Sequence, residues 1–401
     1  MRVKRMTIGL FVLILTVTAS GCGQAYTEQQ QLQQQQLQQQ QYEYETQPPE
    51  VPIPESPVAP SEENVENETK TVRHKKQIKA KGIYVSAPIA ASSEKLDQLI
   101  NLLNRTELNA MVIDIKNDWG AVTYDSSAQK SVSSKSEADR HVLIKDMSRL
   151  VEKLKSHNIY LIGRVVAFKD PWLARARPDL AMKHKSGGTW TDRSGTAWVD
   201  PYMEQARAYS IDIAKEAALL GFDEIQFDYV RFPDGASVDR QVAFHNEAKQ
   251  SKSDLIKQFV QDAEEQLSPL GVNVSADVFG LTTTVEDDMG IGQMWSKLAN
   301  EVDYISPMVY PSHYSTGMYG FQNPDMHPYG VVKRALEDAV EKQAKSQIRP
   351  WLQCFTASWL KPHLRYGAQH VQEQIRAASE LGIDQYLLWN PRCQYEAYVS
   401  P

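Results

Sequence analysis

From Lys81 to the C-terminus, short runs rich in β-branched and aromatic residues alternate with longer segments whose apolar residues recur at helical spacing. That alternation predicts a parallel α/β fold. Strands are expected at 82–87, 110–118, 160–169, 224–232, 272–279, 304–310, 350–355 and 385–390, and helices at 94–103, 143–156, 203–220, 254–267, 292–300, 330–342 and 370–381. Glycine stands just ahead of three of the strands, in Leu220-Gly221, Leu270-Gly271 and Leu381-Gly382, where a left-handed residue closes a helix. Eight such units predict a (β/α)8 TIM barrel. An open doubly wound sheet would carry a Gly-rich phosphate turn after its first strand, and the sequence there is Tyr84-Val85-Ser86-Ala87-Pro88.

Within these strands the polar residues fall on one face. Strands of a barrel are covered on both sides, so polar residues inside them are costly unless they face a functional lumen. Alternation assigns Asp114, Lys116 and Asp118 to that face on strand two, Arg164 on strand three, and Gln226 and Asp228 on strand four. Strand five adds Asn273, Ser275 and Asp277, strand six Ser306 and Tyr310, strand seven Gln353, and strand eight Trp389 or Asn390. Ionisable groups thus gather toward the C-terminal ends of strands two to five, where such barrels carry their active sites.

Two carboxyl groups flanking a bond, one protonated and one ionised, are the equipment of glycoside hydrolysis. Adjacent strands lie about 4.8 Å apart, which brings Asp228 and Asp277 toward the short separation of a retaining pair. Asp228, near Arg164 and Arg231, is the expected nucleophile or charge stabiliser. Asp277 is the expected acid/base, with Asp114 and the loop acids Glu286, Asp287 and Asp288 as rivals. Asp114 has a second reading, as the neutralising partner of Lys116. The expected substrate-binding residues are Lys116, Arg164, Gln226, Arg231, Tyr310, Gln353 and Trp389. Trp172, Trp190 and Trp198 in the insertion after strand three, with Tyr310, His313, Tyr314 and Trp389, present aromatic faces that suit pyranose rings.

Other chemistries find little support. No His or Cys group has metal-ligand spacing, no P-loop or Gly-x-Ser-x-Gly elbow occurs, and no cofactor is expected. A net charge of −7 and a pI near 5.8 argue against a nucleic-acid surface. The segments Lys81–Val85, Asn109 to Lys116, Gly221 to Pro233 and Pro350 to Gln353 resemble an uncharacterised bacterial family of glycoside hydrolases, over about residues 80–400. That family is similar to the α-amylase-like barrels, and the resemblance implies a nucleophile at Asp228. Those barrels also carry a glutamate acid on strand five and an aspartate on strand seven. Here strand five offers Asp277, and strand seven has no acid beside Gln353 and Cys354. The reading is therefore a hydrolase of surface or extracellular polysaccharide, with a non-catalytic carbohydrate-binding protein on a degenerate barrel as the alternative.

The first 22 residues change the setting. A cationic start, an apolar stretch from Ile8 to Val17 and Thr18-Ala19-Ser20-Gly21-Cys22 resemble a lipoprotein signal, so that Cys22 would be lipidated and tether a monomer to the outer face of the membrane. An ordinary secreted protein cut nearby is the competing reading. Residues 23–77, Gln-rich and then Pro-rich, are expected to be a disordered linker, with a short helix or coiled coil through the Gln tract, with Leu32 and Leu37, as the alternative. The barrel domain is expected at 78–401. Cys354 and Cys393 fall on strands seven and eight, as either a disulfide or two buried thiols.

Overall fold

A computed structural model describes residues 74–133, 138 and 142–399. The signal segment, Cys22 and the linker as far as residue 73 lie outside the described residues. Eight parallel strands form the centre: β1 (Lys81–Val85), β2 (Ala110–Lys116), β3 (Tyr160–Val166), β4 (Glu224–Asp228), β5 (Asn273–Phe279), β6 (Tyr304–Met308), β7 (Trp351–Gln353) and β8 (Tyr386–Trp389). Each pairs with the next, β6 meets β7 at Met308 and Trp351, and β8 returns to β1 through Lys81 and Tyr386. The ring is closed, and the expected TIM barrel is the fold found.

The helices between the strands include α1 (Ser93–Asn104), α2 (Met147–Ser156), α3 (Glu204–Leu220), α4 (Lys252–Leu267), α5 (Trp295–Leu298), α6 (Pro328–Glu341) and α7 (Ala368–Ser379). Their sequences explain their extents. In α2, Met147, Leu150, Val151 and Leu154 make one buried stripe at helical spacing, and the Asp146 carboxylate accepts from Arg149 N–H at the start. Helix α3 ends at Gly221, whose φ of +109° suits a residue without a Cβ.

Two features of the ring position the site. Between β2 and β3 the register slips: Asp114 faces Arg164, but Lys116 faces Val165, leaving Ile115 as a bulge. At the other end of the barrel, residues 74–80 lie across the N-terminal rims of the strands. There Lys75 Nζ meets Asp303 at 2.7 Å and also pairs with Glu264, while the carbonyls of Lys76 and Ile78 accept from Asn273 and Tyr304. This segment closes the barrel floor, with Lys75 part-buried in its ion pairs while Lys76 and Lys79 stay exposed.

Candidate active site

At the C-terminal mouth a single guanidinium binds three aspartates, with a fourth beside them. Arg164, central on β3, is buried. Its Nη1 donates to Asp114 Oδ1 at 2.8 Å, its Nη2 to Asp118 Oδ1 at 3.1 Å, and its Nε and Nη2 to Asp228 Oδ2 at 3.0 and 2.6 Å. Tyr84 on β1 donates its hydroxyl to the second oxygen of Asp114 at 2.6 Å. Trp351 on β7 donates Nε1–H to Asp277 Oδ1 at 2.8 Å. Asp228 and Asp277 follow the register pair Phe227–Ala276 on neighbouring strands, so their side chains enter the lumen side by side. The two aspartates aim at the same end, as the retaining-pair reading requires.

The four carboxyls are not equivalent. Burial, together with the charge of Asp228, pushes Asp277 well above the usual carboxylate range, against the Trp351 bond and the Arg164 charge. Burial also raises Asp114, although Arg164 and Tyr84 oppose it. Burial works the same way on Asp118, but there the Arg164 and Lys169 cations outweigh it and the pKa falls. Asp228 accepts three hydrogen bonds, two from Arg164 and one from Tyr229 N–H at 2.6 Å, a donor set that matches an ionised carboxylate. One acid pushed toward its protonated form beside one ringed by hydrogen-bond donors is the arrangement that separates proton donor from nucleophile.

The other expected residues divide. Tyr310 is buried against the pair, its hydroxyl pushed up first by burial and then by the Asp277 and Asp228 charges. Trp389 lies half-buried in the lumen, its ring 4.3 Å from Tyr84 and 5.8 Å from the Arg164 guanidinium. Gln226 sits below Asp228 and donates to Ser306 at 3.2 Å. Gln353 is engaged with Ser312 N–H and Asp325, so it braces the loop after β6.

Lys116 is a correction. The bulge at Ile115 turns it out of the lumen and under α3, where it is fully buried, 2.6 Å from Asp170 Oδ2 and 5.1 Å from the Tyr209 ring. No substrate can reach it there, and Asp170, not Asp114, is its partner. Arg231 is likewise buried, between the rings of Trp198, Tyr229 and Phe279, and donates to the Phe232 carbonyl and Asp234. It stiffens the loop after β4 instead of offering a cation to the lumen.

Trp172, Trp190 and Trp198 are all buried, with Trp190 Nε1 donating to Gln241 and Trp198 Nε1 to Asp192, so they pack the insertion and form no platform. Glu286 pairs with Lys342, and Asp287 and Asp288 accept from the main chain of their own turn; none of the three joins the cluster. Cys354 and Cys393 are free, buried thiols.

Three contributors escaped the sequence reading as site residues. Asp118 lies on the face that alternation assigned. Tyr84 and Trp351 lie at lumen parity in their strands, but an aromatic residue in a strand reads equally well as core.

The profile of a family described as "Putative glycosyl hydrolase domain" matches residues 82–395. No curated protein matches the chain. Among solved structures, a hypothetical protein from Ruminiclostridium thermocellum is 39% identical, covering 49% of this chain and 97% of that one, with a TM-score of 0.43. The PgaB (BpsB) glycoside hydrolase domain from Bordetella bronchiseptica is 13% identical, covering 78% of this chain and 94% of that one, with a TM-score of 0.54. At that identity the second likeness speaks for the barrel alone.

Proposed function

The chain belongs to this family of glycosyl hydrolase domains, and from that premise we propose that it cleaves a cell-surface or extracellular polysaccharide by a retaining mechanism at Asp228 and Asp277. Asp228 attacks the anomeric carbon as the glycosidic C–O bond breaks, and Asp277 gives its proton to the departing oxygen. A water then passes a proton to Asp277 as its oxygen attacks the same carbon, which releases Asp228. Arg164 and Tyr229 N–H stabilise the Asp228 anion before attack and after release.

Trp389 and Tyr310 line the sugar position, and Asp114 supports Arg164 without reacting. The lipoprotein-like sequence around Cys22 supports a chain tethered outside the membrane, where such a polymer is met. The observation that carries the reading is the side-by-side pair at the mouth, one member pushed toward its acid form and the other ringed by donors.

A panel of bacterial wall, capsule and storage glycans, incubated with wild type and Asp228→Asn, tests it. Wild type is expected to release reducing ends from at least one polymer. The variant is expected to lose roughly 10³- to 10⁴-fold of that rate while still binding the same polymer. Binding without turnover by wild type would instead favour the carbohydrate-binding alternative.

A further inference from the structure

We propose that Gln293 is a positioning residue for the catalytic pair, its side-chain amide standing in for a missing peptide of β4. The inference rests on the hydrolase reading for its consequences but on geometry for its content. In a parallel ladder, the register Phe227–Ala276 places Tyr229 opposite Val278. Tyr229 N–H should then donate to the Asp277 carbonyl, and Phe279 N–H to the Tyr229 carbonyl. Phe279 N–H and the Asp277 carbonyl are instead met by another group. Tyr229 has a φ of +48°, left-handed and strained for a side chain of this size, and the main chain leaves the sheet there.

Its two ladder groups go elsewhere: the carbonyl accepts from Phe168 N–H at 3.4 Å, and the N–H donates to Asp228 Oδ1 at 2.6 Å. The vacated place on β5 is filled by the carboxamide of Gln293, a residue 1% exposed on the loop after β5. Gln293 Nε2 donates to the Asp277 carbonyl at 3.0 Å, and Phe279 N–H donates to Gln293 Oε1 at 3.0 Å. A primary carboxamide has an acceptor oxygen and an N–H syn to it, which point the same way as the C=O and N–H of one strand residue. This side chain therefore satisfies both partners of the absent residue, and its Nε2 also donates to the Val230 carbonyl at 3.5 Å.

Without it, two buried main-chain groups at the catalytic end of β5 would be unpaired, and Tyr229 N–H would be drawn back to the Asp277 carbonyl. Gln293 thereby fixes the main chain that carries Asp277 and releases to Asp228 a donor that the sheet would otherwise claim.

The test uses Gln293→Met, which keeps the length and removes all three side-chain hydrogen bonds, and Gln293→Glu, which keeps the shape and, when ionised, the acceptor but not the donor. Crystal structures of both variants and of wild type read the proposal directly. In the variants Tyr229 N–H is expected to move off Asp228 Oδ1, and the Asp228 carboxylate to leave its wild-type rotamer. Should Gln293→Met fail to fold, Gln293→Glu carries the test.

On a glycan that wild type cleaves, kcat is expected to fall about 10²-fold with KM nearly unchanged, the signature of misplaced reacting groups. Variants in which Tyr229 N–H still meets Asp228 at its wild-type distance overturn the proposal, whatever the rates. Variants that do displace it in a protein whose wild type cleaves nothing uphold the ladder argument and sink the hydrolase reading alone.

Discussion

Two buried ionic clusters of the same barrel are built to opposite rules. At the floor, Arg349 faces Glu224, donating from Nη1 at 3.0 Å and also from Nη2, with both side chains fully buried. Tyr160, Ser275 and Asn273 complete the hydrogen bonding, and the Arg349 guanidinium lies 4.2 Å above the Tyr304 ring. One cation meets one anion, and the lead-in segment seals them in. At the mouth one guanidinium meets three carboxylates with a fourth beside them, and the side chains of Asp118 and Asp228 are 13% and 11% exposed. A matched pair is a structural element. Burial, with an excess of acid near one cation, pushes Asp277 and Asp114 toward their acid forms, and that mismatch marks a site of chemistry.

The contrast is sharpest under substitution. Arg349→Met should strand the Glu224 charge in the floor and remove about 3–5 kcal/mol of stability. The double variant Arg349→Met/Glu224→Gln should recover much of that loss. Thermal unfolding measures both, and a single variant no less stable than the double would break the distinction.

Arg164→Met should behave differently, because the mouth carboxyls can protonate or hydrate. Hydrolysis is expected to fall about 10³-fold with a smaller stability loss than Arg349→Met; equal losses would erase the comparison.

Asp277→Asn tests the mouth from the acid side. The folded pKa of Asp277 lies above its unfolded value. Between the two the native state holds the extra proton, so this group's contribution to stability falls as pH rises through that window. Removing the acid should therefore leave unfolding near neutral pH unchanged or raise Tm by about 2–4 °C, while turnover is lost. By the same sign, wild-type turnover should decline as pH rises through the Asp277 titration. A rate that climbs across that range would remove Asp277 from the donor role.

The smallest effect is expected at Lys75. Lys75→Met breaks its contacts with Asp303 and Glu264 and should cost about 1 kcal/mol or less, with no change in rate.

The sequence reading located every strand of the ring but ran most of them too far at the C-terminal end. Strand two was expected to reach 118 and ends at Lys116; strand four was expected to reach 232 and ends at Asp228. The apolar pattern continues past those points because the rim residues are still buried, while the backbone has already left the ladder. Side-chain alternation cannot report that departure. It failed at Lys116 for the same reason, since a one-residue bulge inverts every later assignment until the strand ends. Alternation succeeded for Asp114, Arg164, Asp228 and Asp277, which lie within regular register. Gln293 carried no signal at all: a glutamine in a loop is commonplace, and its role exists only against the open edge of β5.

The segment across the floor settles the direction from which the polypeptide enters the molecule. With Lys75, Lys76 and Ile78 fastened to the strand starts, whatever is joined ahead of residue 74 meets the barrel at its sealed pole. Residue 74 therefore stands at the pole opposite Arg164 and its aspartates. On the proposed hydrolytic reading, a long polymer would meet the chain at the pole away from that attachment.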